Sequence, residues 1–306
     1  MFIILLGLLT TYTFADELSG GQGGAFLRIP VGSRPAGLGN AYVAISDDGA
    51  APFFNPAGIS QTKGTNISAM YNIMTMDRKH YQASVIWGSK NKSAIAITFN
   101  SFGVDDIIEC LPGEEPSGDS FSAEDLSIGF TAAYKILPIL SIGGGVKYIS
   151  EAIQENEASS IGYDMGTILI LPLRTDFLQK LRAGISIMNM GASLKWDTDS
   201  EPEEDILPTM RIGASVDLEM DLFYIIGTID YSQLMVDESD KYSDAKIHFG
   251  AEGWFNKMLA VRAGIDNEDL TMGASIKVSD LRFDYAFIPD FLDEGETHKL
   301  AVNFGF

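Results

Sequence analysis

Residues 259–266 read LAVRAGID. In an extended chain Leu259, Val261, Ala263 and Ile265 point one way, and Arg262, Gly264 and Asp266 the other. The same alternation runs through 281–287, LRFDYAF, where Leu281, Phe283, Tyr285 and Phe287 oppose Arg282, Asp284 and Ala286. At the C-terminus Leu300, Val302, Phe304 and Phe306 oppose Lys299, Ala301, Asn303 and Gly305. From Thr65 onward about fourteen such segments follow one another, each about 9 to 13 residues, the length of a tilted strand that crosses a bilayer.

Alternation alone does not say which face is wet, because a soluble sheet buries its apolar face. The charges decide. Arg182, Arg211, Arg262 and Arg282 all lie on the small, polar parity, together with Asp217, Asp230, Glu252, Asp266 and Asp284. An arginine facing lipid at mid-bilayer costs about 2–4 kcal/mol, so in a membrane barrel this face turns inward and the apolar face meets lipid. Tyr81 and Trp87 share the apolar face about 20 Å apart along one strand, which suits two interfacial aromatic belts. The connections alternate in the same phase. Val104–Ser122, Glu151–Ala158, Ala192–Ile206, Val236–Lys241 and Pro289–Gly295 are long and acidic, while Ser89-Lys90, Glu219-Met220, Asn256-Lys257 and Ser279-Asp280 are short. Outer loops and periplasmic turns of a membrane barrel differ in this way. The fold expected is all-β, a transmembrane antiparallel barrel over 65–306. Its C-terminal strand carries Phe304 and Phe306 as the signal for barrel assembly.

Composition narrows the function. The 306 residues carry a net charge of −21 and are 46% hydrophobic, so the chain can bury a core. Such acidity excludes binding to a row of nucleic-acid phosphates. One cysteine, Cys110, and three scattered histidines offer no zinc-type ligand set, so neither a metal nor a cofactor is expected. Residues 1–15 read as a signal peptide, with an apolar run from Phe2 to Leu9 and small residues before Asp16. No later segment approaches the about 20 apolar residues of a membrane helix.

Residues 32–60, GSRPAGLGNAYVAISDDGAAPFFNPAGIS, do not alternate. They match no P-loop, and strand–helix units of a dinucleotide fold are missing. Asn55 is suited to cap a helical turn and Pro56 to open it. Ala36 to Ile45 reads as a short helix, joined to the turn at Asn55 through Asp47-Asp48-Gly49. Gly37 and Gly39 allow close approach to another backbone. Inward glycines on the strands, among them Gly143, Gly184, Gly213, Gly264 and Gly273, leave room for this piece, so 16–64 is expected to be a plug in the lumen. Gly37, Gly39, Asn40, Asp47, Asp48, Asn55, Pro56, Ala57 and Gly58 are its marked residues.

Those residues, from Phe26 to Ser60, resemble the N-terminal signature of the PorV/PorQ family, within the FadL-like outer-membrane barrels. Gly184 to Gly191, followed by Leu207-Pro208 and Arg211-Ile212-Gly213, resemble a mid-chain pattern of that family. The resemblance implies a fourteen-stranded barrel with an N-terminal hatch. It implies a role in protein secretion of the type IX kind, with secretion-system subunits or secreted cargo as partners. FadL itself implies an alternative, passive transport of long-chain fatty acids or other hydrophobic compounds. A purely structural outer-membrane protein is a third. Expected partners are outer-membrane lipid and the barrel-assembly machinery. Catalysis is not expected: His80, His248 and His298 are scattered, and no Ser/His/Asp set is evident at matching depth on adjacent strands. The acidic loop residues Glu114-Glu115, Glu201 to Asp205, Asp237-Glu238 and Asp293-Glu294 lack the spacing of a calcium loop and read as solvated charge.

Overall fold

The computed structural model describes residues 22–89, 92–109, 118, 120–173, 175–198, 203–235, 245–289 and 296–306. The alternating segments are strands: β1 (Gly64–Ile73), β2 (Arg78–Gly88), β3 (Ser93–Ile108), β4 (Ser120–Leu137), β5 (Leu140–Ile153), β6 (Asn156–Pro172), β7 (Leu178–Met190), β8 (Ser193–Trp196), β9 (Glu203–Asp205), β10 (Thr209–Met220), β11 (Phe223–Leu234), β12 (Ala245–Phe255), β13 (Leu259–Asp266), β14 (Asp269–Val278), β15 (Leu281–Pro289) and β16 (Glu296–Gly305). β8 and β9 pair with each other, and β8 also pairs with the outer end of β6 at Ala158↔Trp196. The remaining fourteen strands form one antiparallel barrel, closed where β1 meets β16 from Asn66↔Gly305 to Ile73↔His298. Closure matters because hydrocarbon offers no partner to an open sheet edge.

The two parities take opposite environments. Val261, Ile265, Phe283 and Leu300 are 69%, 41%, 51% and 47% exposed, whereas Arg262, Asp284 and Lys299 are 4%, 2% and 2% exposed. An outside this apolar around charges this buried is a lipid-facing wall around a polar lumen. The chain is an outer-membrane barrel of the bacterial type. Aromatic pairs mark its surface, with Tyr71 stacked on Tyr81 at 5.1 Å and Tyr285 on His298 at 6.0 Å. Phe304 and Phe306 face outward with ring centroids 5.1 Å apart, and Phe306 exchanges backbone hydrogen bonds with Thr65 at 2.8 and 2.9 Å. Among the described residues no helix is long and apolar enough to span a membrane.

Several strands exceed the expected length. β3, β4 and β6 have 16, 18 and 17 residues. Their outer ends carry Asp105, Asp106 and Glu157, which read as loop, and Glu124 and Asp125, which read as the start of a strand; the ladder continues through all of them past the apolar belt. Glu151–Ala158 is therefore no long loop but a tight hairpin from Ile153 to Asn156, turned by Gln154 at φ 55°. The short turn expected at Glu219-Met220 lies at Asp221-Leu222, with Met220 opposite Phe223. The expected loop Ala192–Ile206 contains the β8–β9 hairpin. The signal peptide, Cys110 and the loop acids Glu114, Glu115, Glu201, Asp237, Glu238, Asp293 and Glu294 lie outside the described residues.

Candidate functional site

Residues 22–61 fill the lumen. A 3-10 turn (Ala25–Arg28) is followed by α1 (Ser33–Ala36), α2 (Ala51–Phe54) and a second 3-10 turn (Pro56–Gln61). The helix expected over Ala36–Ile45 does not form. It stops at Ala36, and Gly39 and Asn40 take left-handed φ values of 60° and 61°. The wall captures the groups a helix would have used. The Tyr42 and Val43 amides both donate to Asp230 Oδ2, at 2.6 and 2.7 Å, and Asn40 Nδ2 donates to Asp266. A buried carboxylate that accepts two amides replaces the helical hydrogen bonds at that point.

Asn55 caps the last turn, its Oδ1 accepting from Ala57 N at 3.1 Å. Its Nδ2 faces the carbonyls of Val43 and Thr167 at 3.1 Å and Ile185 at 3.4 Å, so this one side chain ties two plug segments to β6 and β7. Pro56 and Ala57 lie directly against Gly143, where an added Cβ would stand 2.4 Å from backbone atoms. Gly58 packs against Ser46, and Gly37 against Gly273 on β14.

Arg34, which parity reasoning could not flag, is the hub of the plug. Its guanidinium makes two 2.8 Å bonds to Glu252 on β12 and a 2.5 Å bond to Asp47, with Asp48 at 3.5 Å. From there charge alternates around the wall. Glu252 also accepts from Arg262; Arg262 lies 3.5 Å from Asp284; Asp284 accepts from Arg282 at 2.8 Å; and Arg282 reaches back to Asp48 at 2.5 Å. On the other side Asp47 lies 3.5 Å from Arg182, which is paired with Asp217, itself bonded by Tyr224. Burial pushes the Asp48 carboxyl up, but Arg282 and Arg34 outweigh it and hold it down at about 2. Of the inward charges marked in the sequence, Asp230, Asp266 and Arg211 stand outside this network: the two carboxylates hold the plug turn, and Arg211 donates to the Asn40 carbonyl at 3.4 Å and lies over the Phe54 ring at 5.2 Å. The signal for Arg34 was present: it is the single basic residue of 32–60, in a segment with a Asp47-Asp48 pair.

Above this layer, toward the outer loops, lies a cavity of about 350 Å³. The plug supplies its floor through Asn40, Phe53 and Phe54, and the strap 25–31 crosses it. Phe26 on that strap is buried with Leu194 of β8, Ile206, Ile149 and Ala158. Gly24 N donates to Glu151 at 2.6 Å, which anchors the strap at the outer rim. Polar residues reach the cavity from every side. Lys147 bonds Asp164 at 2.9 Å and Asn189 at 2.7 Å, where β7 bulges against β6 and Asn189 adopts φ 63°. The expectation that no serine, histidine and acid share a depth is corrected here. Ser232, His248 and Asp266 sit on β11, β12 and β13, all line the cavity, and touch in sequence at 2.8 Å each. His80 is buried against Asn100 at 2.8 Å, and His298 lies outside against Tyr285.

No protein-family model matches this chain, and no curated protein matches it. Solved structures do. The monoaromatic hydrocarbon channel CymD is 14% identical, the match covering 91% of this chain and 98% of that chain at a TM-score of 0.61. The Ralstonia pickettii toluene transporter TbuX is 14% identical over 90% of this chain and 98% of its own, also at 0.61. A Pseudomonas aeruginosa FadL homologue is 10% identical over 90% and 98%, at 0.54. At these identities the likeness is one of fold. The chain has, over nine-tenths of its length, the fold of the FadL-type outer-membrane channels.

Proposed function

We propose that the chain is a passive outer-membrane channel for small hydrophobic compounds. The observation that carries this reading is the cavity of about 350 Å³ held inside the barrel on top of the plug. That volume falls in the range of small-ligand sites, and its lining sets apolar faces such as Leu27, Phe53 and Leu234 among many polar groups. Channels of the same fold are described as acting on toluene and monoaromatic hydrocarbons, which supports the solute class. Uptake of labelled toluene by cells whose outer membrane carries the protein tests it. Faster, saturable accumulation than in cells with a non-channel barrel is expected; equal rates would refute the reading.

The PorV/PorQ resemblance supports a second reading, secretion. Its motif residues from Gly37 to Gly58 are nearly all buried inside the barrel, where they serve the plug, so a partner would have to read the outer loops instead. Recovery of secretion-system subunits or cargo on co-purification in mild detergent, without a toluene flux, would favour that reading over transport.

A further inference from the structure

We propose that Ser232, His248 and Asp266 form a nucleophilic triad that cleaves acyl esters inside the cavity. The argument starts from register. β11, β12 and β13 are consecutive antiparallel strands, with His248 directly opposite Asp266 and Ser232 one diagonal step away, opposite Lys246. All three residues share the inward parity, so their side chains meet over the lumen.

The hydrogen bonds assign the roles. His248 Nδ1 lies 2.8 Å from Asp266 Oδ1 and 3.0 Å from the Gly39 carbonyl. The Gly39 carbonyl can only accept, and the Asp266 carboxylate accepts as well, so Nδ1 carries the hydrogen. In neutral imidazole Nε2 is then the free acceptor, and it lies 2.8 Å from Ser232 Oγ. The serine hydroxyl therefore donates to Nε2, which is the tautomer a general base needs. Asp266 is fixed in turn by Asn40 Nδ2. Asp266, Asn40 and Gly39 are positioning residues; Ser232 and His248 are the groups that meet the substrate. The plug turn Gly39-Asn40 thus locks the histidine in one tautomer, which a merely filled lumen would not require.

Arg211 sits directly opposite Ser232 on β10 and lines the same cavity, its guanidinium held by the Asn40 carbonyl and the Phe54 ring, so a positive charge stands close to the serine. Phe53, Phe54 and Leu234 offer an apolar surface to an acyl chain. In the reaction Ser232 Oγ attacks the ester carbonyl carbon while its proton passes to His248 Nε2. The tetrahedral species collapses with cleavage of the C–O bond, and the leaving alkoxide takes that proton. Water, deprotonated by His248, then releases the acyl group from Ser232 as a carboxylic acid and restores the hydroxyl. The products are one alcohol and one acid per ester, with water as the only co-reactant. This activity is independent of whether a solute passes through the wall, since it needs only access to the outward cavity.

The test uses the full-length barrel in detergent micelles. A fluorophosphonate probe is expected to form one adduct, mapped by peptide mass to Ser232, and 4-nitrophenyl butyrate is expected to be hydrolysed with saturation. Ser232→Ala should abolish the adduct and lower turnover by at least about 100-fold. Asp266→Asn should lower kcat and the labelling rate while KM holds, because it disturbs the tautomer rather than the binding surface. Heat-modifiable migration on a gel verifies that each variant is folded. Folded wild-type protein without an adduct on Ser232, or turnover unchanged in folded Ser232→Ala, would overturn the proposal whatever the outcome of uptake measurements.

Discussion

Arg34→Met is expected to destabilise the folded barrel by about 3–5 kcal/mol and to open its lumen. The side chain is 6% exposed and neutralises Glu252, Asp47 and Asp48 at once. Removing it leaves Glu252 shared between Arg262 and the Trp254 N–H, and it cuts the tie between α1 and β12. An uncompensated buried carboxylate is what makes one-sided loss of a buried ion pair so costly, whereas loss of both partners costs far less. Arg34→Met with Glu252→Gln should therefore recover part of the loss. Guanidinium unfolding in micelles measures the stability. Single-channel conductance in planar bilayers measures the lumen, and it should rise in Arg34→Met. A loss below about 1 kcal/mol, the level of an ordinary surface change, would mean that the plug does not depend on this hub.

Gly264→Ala is the second large effect, and it comes from one methyl group. A Cβ at Gly264 would stand 2.1 Å from Gly39 N and 2.3 Å from the Leu38 carbonyl carbon. Both are backbone atoms, so no side-chain rotation relieves the clash. Either β13 bows outward or the turn 37–40 leaves its seat. Overpacking of this kind costs about 1–3 kcal/mol and at times more. The displaced turn also takes the Gly39 carbonyl away from His248. The control is Gly253→Ala on β12, where nothing lies within 4 Å of the added atom. Unfolding midpoints should fall for Gly264→Ala and stay put for Gly253→Ala; equal midpoints would contradict the close seating of the plug.

Much of this architecture was legible in residues. The parity of Leu259 to Asp266 alone separates Val261 and Ile265, which face lipid, from Arg262, which is buried. Period-two alternation is set by the strand itself, so it survives errors in where a strand begins. A strand number of fourteen is implied by the family resemblance as well as by parity. Three features were not legible, each for a physical reason. The outer halves of β3, β4 and β6 stand in water, where neither face needs to be apolar and alternation fades. The segment Ala36–Ile45 has helical spacing, but Asp230 and Asp266, 188 and 226 residues away, offer its amides and Asn40 better partners. The meeting of Ser232, His248 and Asp266 depends on depth, and depth depends on turn lengths between strands. The connections after β11 and β12 had to be known to the residue before those three side chains could be placed together.

The orientation of the two faces underlies the whole account, and spin labels read it directly. Single cysteines at Ile265, Phe283, Leu300 and Phe304, in a Cys110→Ser background, would carry nitroxides in liposomes. Collision with dissolved oxygen, which concentrates in hydrocarbon, should be frequent at all four, and collision with a water-soluble nickel chelate rare. Labels that are immobile and shielded from both reagents, with labels at Arg262 and Arg282 open to the chelate, would place the apolar face in a soluble core and contradict the barrel.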